Sequence, residues 1–195
     1  MSAEILSVSD PAALDRAAAI IRRGGVVAVP TETFYGLAAD GSNTSAVARI
    51  YDIKGRPAAM QLPLVAASLE QVAAWAGPLD GASAKAARAF WPGALSLVVG
   101  PRSEAVRVPA HAFVRALAER VGTPLTSTSA NLTGEPPAET ADAVVASLGD
   151  LVDAVIDGGR TPGGMPSTIA DLRGPRPHLI RDGAVAWSRV LESLK

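Results

Sequence analysis

Apolar residues alternate along the chain between helical spacing and short continuous runs. The first helical pattern opens at Asp10-Pro11, where Asp can cap a helix and Pro suits its first turn, and closes at Gly24-Gly25. Residues 26–29 then form a short apolar run that Pro30 stops, which predicts a buried strand. A helix followed by a strand is therefore the first predicted unit.

The same alternation continues to the C-terminus. Further helices are predicted at about 45–53, from 68 onward, and at about 82–90, 111–121 and 140–148; further strands are predicted at about 62–67, 94–99, 106–108, 124–127, 154–156, 168–170 and 178–180. Interleaved helices and short apolar strands are typical of an α/β fold whose sheet mixes parallel and antiparallel strands. We therefore predict a twisted mixed β-sheet flanked by helices, in a single domain over residues 1–195.

Composition narrows the functional classes. The chain has 195 residues, 48% of them hydrophobic, which suits one well-buried core. A formal net charge of −1 gives no general attraction for nucleic acid or anionic membranes, and the absence of cysteine excludes disulfides and thiolate chemistry. Residues 1–5 lack the features of a signal peptide and no apolar run could span a bilayer, so we expect a cytoplasmic location and no membrane partner.

The run Lys54-Gly55-Arg56-Pro57 is the first candidate for chemistry. Two cations separated by one glycine suit an anion, because Arg provides a bidentate fork and Lys a compact point charge. A solvated surface turn explains the same residues, and for the run taken alone it is the simpler interpretation. The other polar segments must decide between the two.

Three further segments could bind anions. Pro30-Thr31-Glu32-Thr33 follows a predicted buried strand, at the edge where ligands gather in α/β sheets. The run 126–134 provides many hydroxyl groups and one Asn, and the glycine-rich run 158–164 could bring backbone N–H groups close to a phosphate. Ordinary turns remain an alternative for each segment.

Several kinds of catalytic site are missing from the sequence. His111 and His178 lack the spacing of metal ligands, and His111 is better placed near a helix start. Neither a P-loop nor a dinucleotide-binding glycine motif occurs, and there is no serine nucleophile elbow. The polar residues therefore favour binding and positioning of anions over covalent catalysis.

Seven short runs occur in a fixed order between about residues 15 and 185. They are Pro30-Thr31-Glu32-Thr33-Phe34-Tyr35-Gly36-Leu37, Lys54-Gly55-Arg56-Pro57, Trp91-Pro92-Gly93, Val106-Arg107-Val108-Pro109, Ser127-Thr128-Ser129-Ala130-Asn131-Leu132-Thr133-Gly134, Pro166-Ser167-Thr168-Ile169 and Arg181-Asp182-Gly183. In this combination the chain resembles the threonylcarbamoyl-AMP synthase family, in its short form with one YrdC-like domain. The resemblance implies a YrdC-like fold.

The resemblance also implies a reaction. L-threonine, bicarbonate and ATP would give threonylcarbamoyl-AMP and pyrophosphate, and downstream transferase proteins would use the adenylate to make N6-threonylcarbamoyladenosine at position 37 of tRNA. The carbamate would form on the substrate's own amine and attack the α-phosphorus, so no protein nucleophile is needed. A Mg²⁺ ion held mainly by the ATP phosphates, without protein ligands, is the expected cofactor.

The resemblance assigns roles to individual residues. Lys54 and Arg56 are expected to be catalytic, close to the reacting anions. The threonine contacts implied are Thr31, Thr33, Arg107, Ser129 and Ser167. The ATP contacts implied are Arg56, Met60, Ser103, Asn131, Glu139 and Arg181.

The chain departs from the family pattern at four positions. Relatives often have Lys or Asn where Met60 stands, Pro or Gly where Gln61 stands, and in some cases His where Val65 stands. A Thr often occupies the position of Glu139. A carboxylate near phosphates is unfavourable unless it turns away or meets the metal ion, so Glu139 is expected to do one or the other.

Two other functions are compatible with this fold. A non-catalytic module for double-stranded RNA would need a basic face and aromatic platforms, whereas the net charge is −1 and aromatic residues make up 4% of the chain. A weak RNA contact through a local basic patch stays open. A carbamoyl-transfer domain would normally be fused to partner domains, for which the sequence leaves no residues over.

Overall fold

The computed structural model describes residues 3–55 and 61–195, numbered here by helix and strand in chain order. The helices in this part of the chain are α1 Ala13–Arg22, α2 Thr44–Lys54, α3 Leu69–Ala76, α4 Gly81–Phe90, α5 Ala112–Val121, α6 Ala141–Leu148 and α7 Trp187–Ser193. The strands are β1 Glu4–Ser7, β2 Val27–Val29, β3 Gly36–Ala38, β4 Leu64–Val65, β5 Leu95–Val99, β6 Glu104–Arg107, β7 Leu125–Thr126, β8 Thr128–Ser129, β9 Ala154–Asp157, β10 Thr168–Asp171 and β11 His178–Arg181.

The strands divide into two mixed sheets. The first sheet has the order β1-β9-β2-β3-β8, in which β1, β9 and β2 run parallel and β3 is antiparallel to both of its neighbours. The second sheet has the order β11-β10-β5-β6-β4-β7, with parallel pairs β10–β5 and β6–β4 and antiparallel pairs elsewhere. The predicted mixed α/β architecture is confirmed, with its strands shared between two sheets.

The two sheets meet where the chain crosses from one to the other. Strand β7 pairs with β4 in the second sheet, whereas β8, which begins only two residues after β7 ends, pairs with β3 in the first. Between them, the Ser127 N–H donates to Pro63 O at 2.7 Å. An isolated antiparallel bridge between Asp40 and Leu125 adds a second link. The seam between the sheets therefore runs through residues 125–129.

Helices cover both faces of the first sheet, because its central strand is apolar on both sides. Val27 and Val29 pack with α1 and α5 in one core cluster. Val26 and Ala28 belong to a separate cluster formed with α2 and α6. This alternation along a strand with period two is the reason that one short apolar run can serve two cores.

A third cluster packs on the second sheet. Leu95, Leu97 and Val99 share one face of β5 and contact Val72 of α3 and Val190 of α7, while α4 contributes small alanines. The helices α3, α4 and α7 therefore pack on the second sheet through this cluster. At the seam, Val65 of β4 and Leu125 of β7 belong to the first cluster, so apolar packing links the two sheets.

The structure adds elements that the sequence pattern did not predict, namely β1, β3, β8 and α7. It also moves the start of the first helix, which begins at Ala13 because Asp10 does not cap it. The carboxylate of Asp10 accepts from the Ala12 N–H at 2.9 Å and closes a turn instead. The predicted 124–127 strand is shortened to β7, and β8 follows it in the other sheet. His111 stands at the N-cap of α5, as expected.

Candidate functional site

A cavity of about 430 Å³ opens at the seam between the sheets. All five residues expected to contact threonine line it: Thr31, Thr33, Arg107, Ser129 and Ser167. They come from the loop after β2, the end of β6, the strand β8 and the segment just before β10. Arg181, expected on the nucleotide side, and Gln61 line the same cavity. Residues far apart in the sequence are thus brought to one place by the crossing of the chain between sheets.

The loop after β2 is shaped by a hydroxyl group. Pro30 ends the strand, and Thr31 Oγ1 then donates to Phe34 O at 2.7 Å and accepts from the Thr33 N–H at 3.2 Å. The hydroxyls of Thr31 and Thr33 lie 3.1 Å apart, and both residues are buried. This turn holds Thr33 at the cavity, so Thr31 supports the loop as well as lining the cavity.

Arg107 is the most deeply buried cation of the cavity, at 5% exposure. Its Nη1 donates to Glu32 Oε1 in an ion pair, and its other N–H groups meet no further acceptor among residues 3–55 and 61–195. Burial lowers the pKa of Arg107 and the neighbouring Glu32 opposes that shift, so the guanidinium stays charged at neutral pH. It therefore offers the cavity a fixed positive charge with unused donors.

Two buried polar atoms at or near the Glu32–Arg107 pair have no hydrogen-bond partner in the described residues. Glu32 Oε2 and His111 Nδ1 are both buried without a hydrogen-bond partner in the described part of the chain. Burial lowers the pKa of His111, with Glu32 opposing and Arg115 reinforcing the shift. His111 is therefore neutral near pH 7, and the ion-pair partner of Glu32 is Arg107.

Ser167 and Arg181 form the opposite wall of the cavity. Arg181 donates from Nη2 to Ser167 Oγ at 2.9 Å and to Ser167 O at 2.8 Å, while its Nε reaches the same carbonyl at 3.0 Å. Ser167 Oγ also lies 3.2 Å from Ser96 Oγ on β5. A residue expected to contact threonine and one expected to contact ATP are thus joined directly.

Lys54 closes α2 and points into the protein. Its Nζ donates to Ser129 O at 2.7 Å, to Asn131 O at 2.6 Å and to Asn131 Oδ1 at 2.8 Å, and the residue is 4% exposed. Gly55 ends the helix with a left-handed φ of 57°, which glycine adopts without strain. The structure therefore places Lys54 beneath the segment that carries Ser129 and Asn131, and its expected catalytic role stays a prediction.

A second cavity, of about 750 Å³, lies on the other side of that segment. Asn131 and Glu139, both expected to contact ATP, line it together with Arg160. Asn131 is fixed by donating from Nδ2 to Glu135 O at 2.6 Å. Glu139 Oε2 accepts from Arg160 Nη1 at 2.6 Å, so the carboxylate has a cation as its partner.

The glycine-rich run 158–164 is fastened to the loop after β2. Tyr35 is fully buried, and its hydroxyl donates to Gly159 O at 2.8 Å and accepts from the Gly158 N–H at 3.2 Å. Burial raises the pKa of this hydroxyl, which stays protonated and able to donate. Farther along, the Gly163 N–H donates to Thr33 O at 2.8 Å. The run forms part of the wall of both cavities.

The remaining expected site residues lie elsewhere or outside the described residues. Ser103 occupies the turn between β5 and β6 with a φ of 57°, is exposed, and accepts from Arg173 at 3.1 Å. Gln61 connects that turn to the first cavity by donating to Arg102 O at 2.9 Å. Arg56 and Met60 lie outside the described residues. Val65 is buried in β4.

The sequence reasoning missed Glu32, Tyr35 and Arg160 as parts of the site. Glu32 and Tyr35 stand within a run that was singled out, but their partners lie on β6 and in the run 158–164. The one feature of the sequence that could have indicated Arg160 is that it is the single cation of the glycine-rich run 158–164. Each of these roles depends on a contact between distant parts of the sequence.

The described residues contain neither a cluster of metal-ligating side chains nor a helix that could span a membrane. No group of three or more His, Cys, Asp or Glu residues that could hold a metal ion occurs in residues 3–55 and 61–195. Over the same residues, every helix is too short or too polar to cross a membrane. Of the acidic side chains at or beside the cavities, Glu32 and Glu139 are each paired with an arginine, whereas Glu135, which lines the second cavity, accepts from Ser147 Oγ at 2.7 Å.

Comparison with known proteins identifies the family. The model of the Sua5/YciO/YrdC family, described as Telomere recombination, matches residues 19–183. Threonylcarbamoyl-AMP synthase of Bacillus subtilis is 35% identical, over 95% of this chain and 57% of that protein. A putative threonylcarbamoyl-AMP synthase of Mycobacterium tuberculosis is 34% identical, over 98% of this chain and 95% of that protein.

A solved structure agrees with this match. The crystal structure of P. abyssi Sua5 complexed with L-threonine superimposes with a TM-score of 0.90 at 34% identity, covering 100% of this chain and 61% of that chain. The chain thus spans less than two thirds of the B. subtilis protein and of the P. abyssi structure. Since the family model and these relatives cover most of its residues, the chain belongs to the Sua5/YciO/YrdC family.

Proposed function

We propose that the chain is a threonylcarbamoyl-AMP synthase, which makes threonylcarbamoyl-AMP and pyrophosphate from L-threonine, bicarbonate and ATP. Support comes from relatives that carry this name and from the P. abyssi structure, which holds L-threonine. Further support comes from the composition of the first cavity.

The observation that carries the proposal is a buried guanidinium that faces a set of hydroxyl groups. Arg107 has unused donors and a fixed charge, which suit the carboxylate of an amino acid. The hydroxyls of Thr33 and Ser129 line the same space and can exchange hydrogen bonds with the amine and hydroxyl of threonine. A volume of about 430 Å³ lies within the usual range for a ligand pocket, about 300–1,000 Å³.

The proposed reaction needs positioning and charge neutralisation more than a protein nucleophile. The neutral amine of threonine combines with bicarbonate to give a carbamate and water. A carbamate oxygen then forms a bond to the α-phosphorus while the bond from that phosphorus to the bridging oxygen of the β-phosphate breaks, and pyrophosphate leaves. Holding three anionic reactants together provides the rate enhancement, because their mutual repulsion is offset by Arg107 and Arg181.

Mg²⁺ is part of the proposal as a companion of ATP. The chemistry of the cavities fits an ion held by phosphate oxygens and water, because Glu32 and Glu139 are paired with arginines and residues 3–55 and 61–195 hold no group of three or more His, Cys, Asp or Glu that could bind a metal ion. The ion would neutralise phosphate charge when bound. Asn131 and the hydroxyl groups of the cavity would then orient the phosphates rather than the metal ion.

On this proposal the product serves tRNA modification. Threonylcarbamoyl-AMP is the donor for N6-threonylcarbamoyladenosine at position 37, so transferase proteins that act on tRNA are the downstream partners. The chain would work in the cytoplasm, where those proteins meet tRNA. Direct contact between this chain and RNA would be weak, since its formal net charge is −1.

The test is pyrophosphate release that requires threonine. The protein is incubated with ATP, Mg²⁺ and bicarbonate, with and without L-threonine, and the adenylate is identified by mass spectrometry. We expect release only with threonine, loss of activity in Arg107→Gln, and normal activity in Arg189→Gln, an exposed arginine on α7 that touches neither cavity. Absence of threonine-dependent release, or an Arg107→Gln variant as active as the wild type, would contradict the proposal.

A further inference from the structure

The two cavities share a boundary. Pro137 lines both, and Ser129 lines the first while Asn131, two residues farther, lines the second. Asn131 and Glu139, two of the expected ATP contacts, line the second cavity, whereas Arg181 lines the first, so we place at this boundary the α-phosphate that a carbamate in the first cavity would attack. The β- and γ-phosphates then have the second cavity as the adjoining polar space.

Two carboxylates of the wrong sign line that space: Glu135, whose Oε2 accepts from Ser147 Oγ at 2.7 Å, and Glu139, which is the one of the two with a cation partner among the described residues. A bare carboxylate within several ångströms of a triphosphate would weaken nucleotide binding by about three- to tenfold at physiological salt, through Coulomb repulsion that salt only partly screens. Glu139 also lies against the loop 160–163. Its backbone carbonyl accepts from the Thr161 N–H at 2.8 Å, and a Cβ built on Gly163 would lie 2.5 Å from its Oε1.

Arg160, in the same loop, forms an ion pair with the Glu139 carboxylate. Its Nη1 lies 2.6 Å from Glu139 Oε2, and both side chains line the second cavity. The Arg160 side chain is 69% exposed, so the pair contributes little to folding stability, as is general for exposed ion pairs. Because the pair adds little to the free energy of unfolding and lines the proposed polyphosphate site, we expect it to act mainly on the affinity for ATP.

We propose that Arg160 is a positioning residue for ATP, which cancels the charge of Glu139 and so admits the triphosphate to the second cavity. This inference rests on the proposed function. It also explains how this chain can carry a carboxylate at a position where the resemblance leads one to expect Thr. The loop 160–163 that wraps Glu139 supplies the compensating cation.

A double-mutant cycle tests the pair. The Michaelis constant for ATP is measured from pyrophosphate release for Arg160→Gln, Glu139→Gln and the double variant, with Arg16→Gln as control. Arg16 is also exposed and ion-paired, with Glu4, and lines neither cavity. We expect Arg160→Gln to raise the KM for ATP about three- to tenfold with kcat little changed, and added salt to reduce this defect. Glu139→Gln should lower that KM, and the double variant should return close to wild type.

Each alternative outcome is decisive. An unchanged KM for ATP in Arg160→Gln would show that the ion pair has no effect on ATP binding, and would overturn the proposal. A double variant as weak as Arg160→Gln would mean that Arg160 binds the nucleotide directly, and a raised KM in Glu139→Gln would make the carboxylate a ligand; both overturn the charge-cancelling role. If the wild type releases no pyrophosphate, the proposed function fails, and calorimetric titration with Mg-ATP then tests the pair by the same comparisons.

Discussion

The Glu32–Arg107 ion pair allows a direct test of what keeps the Arg107 guanidinium in place at the first cavity. Replacing Glu32 with Gln keeps the shape and a hydrogen-bond acceptor but removes the negative charge beside Arg107. The side chains of the two residues are 16% and 6% exposed, so the pair is shielded from water. The change therefore leaves a buried guanidinium without its counterion.

Two magnitudes follow from that burial. Removing one partner of a buried pair costs about 3–5 kcal/mol, whereas losing only the charge from a hydrogen-bonded partner costs about 1–3 kcal/mol. Because Gln can still accept from Arg107, we expect Glu32→Gln to lower the free energy of unfolding by about 1–3 kcal/mol and Glu32→Ala by more. A guanidinium free to leave its position should also raise the KM for threonine by about tenfold, equivalent to about 1.4 kcal/mol.

The assays are urea denaturation and pyrophosphate release at varied threonine and ATP. The matched control is Glu4→Gln, which breaks an exposed pair with Arg16 and should change stability by less than about 1 kcal/mol. The KM for ATP should stay near its wild-type value in Glu32→Gln. An unchanged urea midpoint together with an unchanged KM for threonine would refute the reasoning, because neither the fold nor the cavity would then depend on the pair.

Three further predictions concern single residues. Lys54→Met removes three buried hydrogen bonds at once, so we expect a loss of about 3 kcal/mol or more in urea unfolding and loss of pyrophosphate release. Gly163→Ala places a Cβ 2.5 Å from Glu139 Oε1 at a φ of +69°, and a lower melting temperature and a broken ion pair should follow; a melting temperature equal to wild type would contradict this. In Asp40, burial is outweighed by hydrogen bonds from Ser42 and Thr123, which lower the pKa of the carboxyl. Its stabilising effect is therefore present above the pKa of the unfolded state and lost as pH falls through the folded pKa, so Asp40→Asn should be less stable than wild type at pH 7 and equal to it in strong acid.

The α/β architecture was predictable because its core strands and helices carry local patterns. The run at Val27–Val29 is fully buried, and its apolar sequence reveals it without any knowledge of its neighbours. Strand β1, in contrast, buries only Leu6 of its four residues, so its sequence looks like a loop. Strand β3 is three residues long and begins with glycine. Strand β1 pairs with β9, and β3 pairs with β8 as well as with the nearby β2; β8 and β9 are too far away in the sequence for a local window to contain them.

The candidate site shows the same division. Thr33 and Arg107 stand in runs whose polar chemistry stood out, and the structure brings them to one cavity. The position of Lys54 could not be foreseen, since its acceptors are backbone carbonyls 75 and 77 residues away. Strand β8, which the pattern did not predict, also depends on a partner elsewhere, and the passage of the chain from β7 in one sheet to β8 in the other creates the seam holding the cavity.

The burial of Lys54 has a consequence for the chemical reactivity of the protein. The sequence contains three lysines, and Lys85 and Lys195 are exposed whereas Lys54 is 4% exposed with its ammonium protons donated to carbonyl oxygens. Amine-reactive reagents attack the free amine, so the two exposed lysines should acylate quickly and Lys54 only when the segment 129–131 releases it. The rate of labelling at Lys54, read by mass spectrometry against the other two as internal references, therefore measures how often that segment opens.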